Sequence, residues 1–172
     1  GRGLLEHFPG DPQAAGTLIR SAGNSAATLV RTIVDLFPSF RDVATYDDQP
    51  VHFYKRAQIL VADLTGAFFG QGLGKFTDPQ ILTAFADYKV PQVLRGFNAL
   101  VYGPELDAAI ANRELIPAGS PWEVEIRAAT IWACEWLRQI LAEQGRNHLA
   151  TEIDWLLWFA GQSLPDSMPT YH

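Results

Sequence analysis

The sequence predicts a mainly α-helical domain with little or no sheet. Three observations predict it. Each long apolar segment repeats at helical spacing rather than in alternation. Asp-Pro, Gly-Pro and Ser-Pro pairs stand where such segments begin, with a capping residue followed by proline at the first helical position. The 172 residues are 48% hydrophobic and 19% charged, enough for one packed domain and unlike a disordered chain.

The elements follow in order. From about Pro12 to Phe37, apolar residues fall at Leu18, Ala22, Ala26, Leu29, Ile33 and Phe37. Gly23-Asn24-Ser25 interrupts this run, so Asn24 or Ser25 caps a second helix, and Pro38 stops it. Asp42 to His52 contains Asp47-Asp48-Gln49-Pro50 and reads as a loop or a small hairpin. Phe53, Ala57, Leu60, Val61, Leu64, Ala67 and Phe68 mark the next helix, which Gly70, Gly72 and Gly74 end. Those glycines fit neither a Walker loop nor a dinucleotide fingerprint, and they follow a helix rather than a strand; a connector is expected.

Asp78 and Pro79 suit the N-cap and first position of a helix running through Ile81, Leu82 and Phe85. Val90-Pro91 forbids its smooth continuation, and a new helix is expected from Pro91. Gly103-Pro104 starts a short helix to about Asn112. Ser120-Pro121-Trp122-Glu123 is a capping-box pattern opening a helix that runs to Gly145. The last helix covers about His148 to Leu164, its apolar stripe being Leu149, Ile153, Leu156, Leu157, Ala160 and Leu164.

The net charge of −6 weighs against a nucleic-acid partner, because phosphate neutralisation supplies most of such affinity and the densest basic cluster is Lys55-Arg56. A single cysteine, Cys134, forms no internal disulfide and fits a reducing, cytoplasmic setting as a small buried hydrophobe. The four histidines have no metal-ligand spacing, and no cofactor is expected. No apolar run approaches the roughly 18 residues of a membrane span, so no membrane partner is expected either. The chain has no initiator Met and no stop signal at Tyr171-His172, so both ends read as cut.

Three places can carry chemistry. Asp154 and Trp158 form an i, i+4 pair turned away from the apolar stripe of the last helix, so Trp158 belongs either to a second packing layer or to a ligand site. Asp87 stands between Phe85-Ala86 and Tyr88 near a helix start, where orphan N–H groups and the helix dipole favour an anion; an ordinary cap is the bland alternative. Lys55-Arg56 opens a helix, where two cations oppose the dipole. Glu123–Arg127 has the spacing of a structural ion pair.

Whole phrases carry more. Residues 53–63 (FYKRAQILVAD), 85–94 (FADYKVPQVL) and 123–128 (EVEIRA) stand in order along the chain. So do the weaker phrases at residues 37–43 (FPSFRDV) and 154–158 (DWLLW). Together they resemble the queuosine salvage proteins, hydrolases that release the base queuine from a queuosine nucleotide. The resemblance covers most of the chain from about Asn24 onward. It implies that residues 1–172 are a single helical domain, the C-terminal part of a longer family chain. An N-terminal half, as a companion fragment or the uncleaved remainder, and a short basic tail would complete it. It also implies a fold like that of the helical DNA base glycosylases.

By the same resemblance Asp87 matches the catalytic aspartate and Lys55 a site lysine. Phe85 and Tyr88 flank the base, and Asp154 and Trp158 contribute to the queuine pocket. N-glycoside cleavage passes through an oxocarbenium-like ribosyl cation, which a fixed carboxylate stabilises. Queuine is a 7-deazaguanine with no N7 to protonate, so help to the leaving base must come from other donors or from aromatic clamping. Its secondary ammonium suits a carboxylate such as Asp154. Lys55 would answer either the 5′-phosphate or Asp87. The implied ligands are queuosine 5′-monophosphate and queuine. A glycosylase for another modified base or for nucleic acid, and a non-catalytic helical binding module, are the alternatives.

Overall fold

A computed structural model of the chain describes residues 2–163. The backbone groups into two compact units: the residues up to Val43 together with Tyr54–Leu82, and Ala44–Phe53 together with the residues from Thr83 onward. Helices dominate both, and the two four-residue strands, Val43–Tyr46 and Gln49–His52, make the only sheet among the described residues. The mainly α expectation therefore holds. No helix among the described residues is long and apolar enough to cross a membrane.

The first unit contains α1 (Arg2–His7), which sequence periodicity did not anticipate, α2 (Ala14–Ser21), α3 (Ala26–Leu36) and α4 (Lys55–Ala67). At the expected break Asn24 takes the left-handed conformation, and Ser25, one of the two candidate caps, accepts the Thr28 N–H at Oγ at 3.1 Å to start α3. Helices α3 and α4 pack together, with Leu29, Ile33 and Val61 fully buried. Asp42 Oδ2 accepts the backbone N–H of Lys55 at 3.1 Å, which puts a carboxylate at the start of α4 and offsets its two leading cations. Arg56 lies over the Phe40 ring and donates to Ser39 O, so its role is structural. The glycine connector after α4 folds back as a 3₁₀ turn, Gly72–Gly74; a Cβ on Gly74 would come within 2.4 Å of Leu64 O.

Asp78 departs from expectation. It does not cap a helix of its own, because only a three-residue 3₁₀ turn, Pro79–Ile81, follows it. Its carboxylate reaches back to α3, accepting from Ala26 N at 2.6 Å, Ala27 N at 3.3 Å and Ser25 Oγ at 2.8 Å. Burial works against its charge, but these donors outweigh it and hold the carboxyl below the usual carboxylate range. The cap pattern was legible; which helix it serves was not.

The second unit opens, from Ala44, with the hairpin of β1 (Val43–Tyr46) and β2 (Gln49–His52). Asp47 and Asp48 both have positive φ, 46° and 59°, as a two-residue hairpin turn with matching twist requires. Then come α5 (Lys89–Gly96), α6 (Pro104–Ala111), α7 (Pro121–Glu143) and α8 (Ala150–Gln162). Helix α5 packs on both α7 and α8. Its Val90 and Leu94 join Ala84, Cys134 and Ile153 in the unit's main apolar cluster. Helix α7 begins as predicted: Ser120 Oγ accepts from Glu123 N at 3.4 Å, and Glu123 Oε2 accepts from Gly119 N at 3.1 Å.

Two expectations fail in this unit. Residues 82–87 are not helical, although Leu82 and Phe85 had suggested continuation. Their buried backbone is satisfied by distant side chains instead of a helical ladder, as described below. Helix α8 is also rotated from the predicted stripe. Its buried residues are Ala150, Thr151, Ile153, Asp154 and Gly161, while Leu156 is 63% exposed and Ala160 also faces solvent. A carboxylate can join the buried face here because it has a backbone donor to accept. Leu164 lies outside the described residues.

Candidate functional site

The candidate site is built around the stretch Phe85-Ala86-Asp87 in the second unit, which three charged side chains fix. Phe85 N donates to Asp154 Oδ1 at 2.8 Å, and Asp154 is 2% exposed. Arg127 Nε donates to Ala86 O at 3.2 Å. Arg127 is itself held by Glu123 Oε1 at 3.4 Å and lies 3.9 Å from the Phe53 ring centroid. The predicted Glu123–Arg127 ion pair thus exists, but its work is to aim a guanidinium at the main chain of the site. Asp87 Oδ1 accepts from Lys89 N at 3.0 Å and Val90 N at 2.9 Å.

The Asp87 carboxylate therefore takes the first two N–H groups of α5, which starts at Lys89, two residues earlier than Pro91 had suggested. Pro91 falls in the first turn, where a missing N–H costs nothing. The two backbone donors set the direction of the carboxylate. Asp87 is 9% exposed, so its charge acts in a medium poor in water. Cys134 reports on the same surroundings. Burial raises its thiol to about 12, and the charges of Asp154 and Asp87 push in the same direction.

The other expected site residues are distributed as follows. Phe85 is buried, its ring 6.4 Å from that of Trp155, a neighbour that spacing alone did not single out. Tyr88 is partly exposed at the N-cap of α5. Trp158 is 38% exposed, one turn beyond Asp154 on α8, with its ring edge-to-face with Phe159 at 5.4 Å. Asp87, Phe85, Tyr88, Asp154 and Trp158 thus all belong to the second unit. Lys55 belongs to the first, as the first residue of α4.

Two further residues were not singled out by the sequence reading. Gln92 is 5% exposed, and its amide nitrogen has no hydrogen-bond partner among the described residues. A buried donor left unpaired costs about 1–3 kcal/mol. Its signal was a polar residue inside the otherwise apolar run 90–94. Lys89 lays its stem across α8: a Cβ on Gly161 would stand 2.7 Å from Lys89 Cγ and 2.8 Å from Cδ. Among the described residues there is no cluster of His, Cys, Asp and Glu able to hold a metal ion. The first unit has an apolar cavity of about 440 Å³, lined by residues such as Leu18, Ile33 and Leu60, but no titratable side chain faces it.

A family profile described as "Queuosine salvage protein" matches residues 1–172. Over 169 residues the chain is 57% identical to a Sphaerobacter thermophilus protein named "Queuosine 5′-phosphate N-glycosylase/hydrolase", covering 98% of this chain and 51% of that one. A Dictyostelium discoideum protein of the same name is 46% identical over 169 residues, covering 98% of this chain and 52% of its own. A Mus musculus protein, also so named, is 42% identical over 143 residues, covering 83% and 41%. The chain spans about half the length of the curated relatives it matches. With a profile match along its whole length, the chain belongs to the queuosine salvage protein family.

Proposed function

We propose that this chain supplies the catalytic aspartate of an N-glycosyl hydrolase that cleaves queuosine 5′-monophosphate and releases queuine. The observation that carries the reading is the fixed, buried Asp87, in a chain whose relatives bear that enzyme's name. As the C–N bond breaks, positive charge develops on the ribose. A carboxylate already oriented by two backbone donors stabilises that charge without reorganising. The same carboxylate can orient the attacking water.

Tyr88, exposed next to Asp87, suits contact with the flat base, and Trp158 offers a further ring; Phe85, buried by its own chain, is assigned to the base by its family phrase alone. For Asp154 the geometry supports a positioning part, since its Oδ1 holds the Phe85 amide. Pairing with the secondary ammonium of queuine is the part that the resemblance implies for it. Lys55 is assigned to the 5′-phosphate, or to tuning Asp87, by its family phrase. A small nucleotide suits the acidic net charge of −6 better than a nucleic acid does. The single buried thiol fits a cytoplasmic setting. The relatives are about twice as long, so the family's other half, in the same chain or as a companion, belongs to the active protein.

The test is direct. Full-length protein is incubated with queuosine 5′-monophosphate, and free queuine is sought by mass spectrometry. Release of queuine by wild type, with Asp87→Asn inactive, supports the reading. Intact substrate after long incubation with wild type rejects it.

A further inference from the structure

The amide nitrogen of Gln92 is a buried donor that the fold itself leaves without an acceptor among the described residues. The surroundings make this unusual. Helix α5 is buried along Val90, Pro91, Val93 and Leu94, and Gln92 is the one polar side chain in that run. An apolar residue of similar size would fill such a place without an unmet hydrogen bond. A donor held dry and unpaired is suited to an acceptor that arrives with a ligand.

The geometry of α5 indicates which ligand. At about 100° per residue, Gln92 stands two residues from both Val90 and Leu94 and so about 160° around the helix from each, facing away from the apolar cluster that those residues join. It shares a face with Tyr88, one turn earlier. Helical side chains lean toward the N-terminus of their helix, and the N-terminus of α5 is where Asp87 accepts from Lys89 and Val90. The unpartnered buried amide thus stands one turn along α5 from Tyr88, the residue next to the oriented carboxylate.

We propose that Gln92 is a substrate-binding residue of the same site, donating its amide N–H to the carbonyl oxygen of the departing base. This rests on the reading of Asp87 and Tyr88 given above, which sets the ribose at Asp87 and the base beside Tyr88. The bond pair of the glycosidic link leaves with the base, and the lactam carbonyl carries part of that negative charge. A hydrogen bond to that oxygen therefore strengthens as the link breaks, which assists a base that lacks N7. A neutral amide suits this acceptor, since it adds no positive charge that would pair with Asp87 or repel the ribosyl cation.

Gln92→Met in the full-length protein removes the donor and keeps an unbranched side chain of similar size. Three quantities are read: turnover of queuosine 5′-monophosphate, affinity for free queuine, and Tm. The expected result is a loss of about tenfold to a hundredfold in kcat/KM, a parallel loss in queuine affinity, and a Tm equal to or above wild type. Wild-type turnover and queuine affinity in the variant would overturn the inference. So would a fall in Tm with the rate per folded molecule unchanged, which would make Gln92 a structural residue.

A second measurement does not depend on the variant folding. On wild-type protein, a queuine analogue with hydrogen in place of the carbonyl oxygen should bind about tenfold to a hundredfold more weakly than queuine. Equal binding of the two would overturn the inference. Failure of wild type to release queuine would reject the underlying reading, whereas active wild type with an unaffected variant rejects the role of Gln92 alone.

Discussion

The backbone amide of Phe85 donates to Asp154 Oδ1 at 2.8 Å, tying helix α8 to the irregular stretch that ends at Asp87. The bond joins residues 69 positions apart and is buried. It explains how a carboxylate comes to lie on the packed face of α8, and why residues 82–87 need no helix to satisfy that amide.

Asp154→Ala should therefore destabilise the protein by about 1–3 kcal/mol, the cost of a buried donor left unpaired, read by urea denaturation. Asp154→Asn keeps an acceptor oxygen for Phe85 and should fall closer to wild type. If Asp154 also meets the substrate's ammonium, the Asn variant loses its preference for queuine over an uncharged 7-deazaguanine; a purely positioning role leaves that preference intact. An Ala variant as stable as wild type would show that the bond contributes little.

Asp87→Asn should lower kcat by about a hundred- to a thousandfold while queuine binding persists, because the charge is lost and the shape kept. The Asn side chain still accepts from Lys89 N and Val90 N, so the cap survives and Tm should change little. Near wild-type turnover would reduce Asp87 to a structural cap.

Lys55→Ala should weaken substrate use without unfolding the chain, since the start of α4 is held by the backbone bond to Asp42. A raised KM with kcat unchanged would assign Lys55 to the phosphate, and a lowered kcat would assign it to Asp87. Unchanged kinetics would remove it from the site.

Gly161→Ala should destabilise by about 1–3 kcal/mol, the usual cost of overpacking. Alanine in a helix interior ordinarily stabilises relative to glycine by about 1 kcal/mol. Here the new Cβ would press on Lys89 Cγ at 2.7 Å and Val93 Cγ2 at 3.0 Å, where α5 crosses α8. Chemical denaturation gives the sign directly, and a stabilised variant would show that Lys89 moves aside at little cost.

Cys134 should make the protein sensitive to alkali. Burial raises its thiol to about 12, whereas the thiol of the unfolded chain ionises near 8.5. Between those limits the folded state keeps a proton that the unfolded state has lost, so stability falls as pH rises, and below them Cys134 contributes no slope. Cys134→Ala should show a shallower alkaline loss than wild type. The native thiol should also stay unreactive toward Ellman's reagent at pH 8 and react once the chain is unfolded.

Much of the fold was legible because capping, helical periodicity and tight turns act over about four residues. Ser25 before α3, Ser120-Pro121 before α7 and the Asp47-Asp48 turn each state their geometry within one turn of chain. The phrase around Asp87 also marked the stretch on which the candidate site is built. Tertiary structure alone decided that Asp78 caps α3, that residues 82–87 stay irregular, and that α8 buries Asp154 while exposing Leu156. It alone decided that Arg127 holds Ala86 O from 41 residues away and that the Gln92 amide is left unpartnered. The physical reason is common to these cases. A buried polar group is stable only against its partner, and when that partner lies tens of residues distant no local pattern records it.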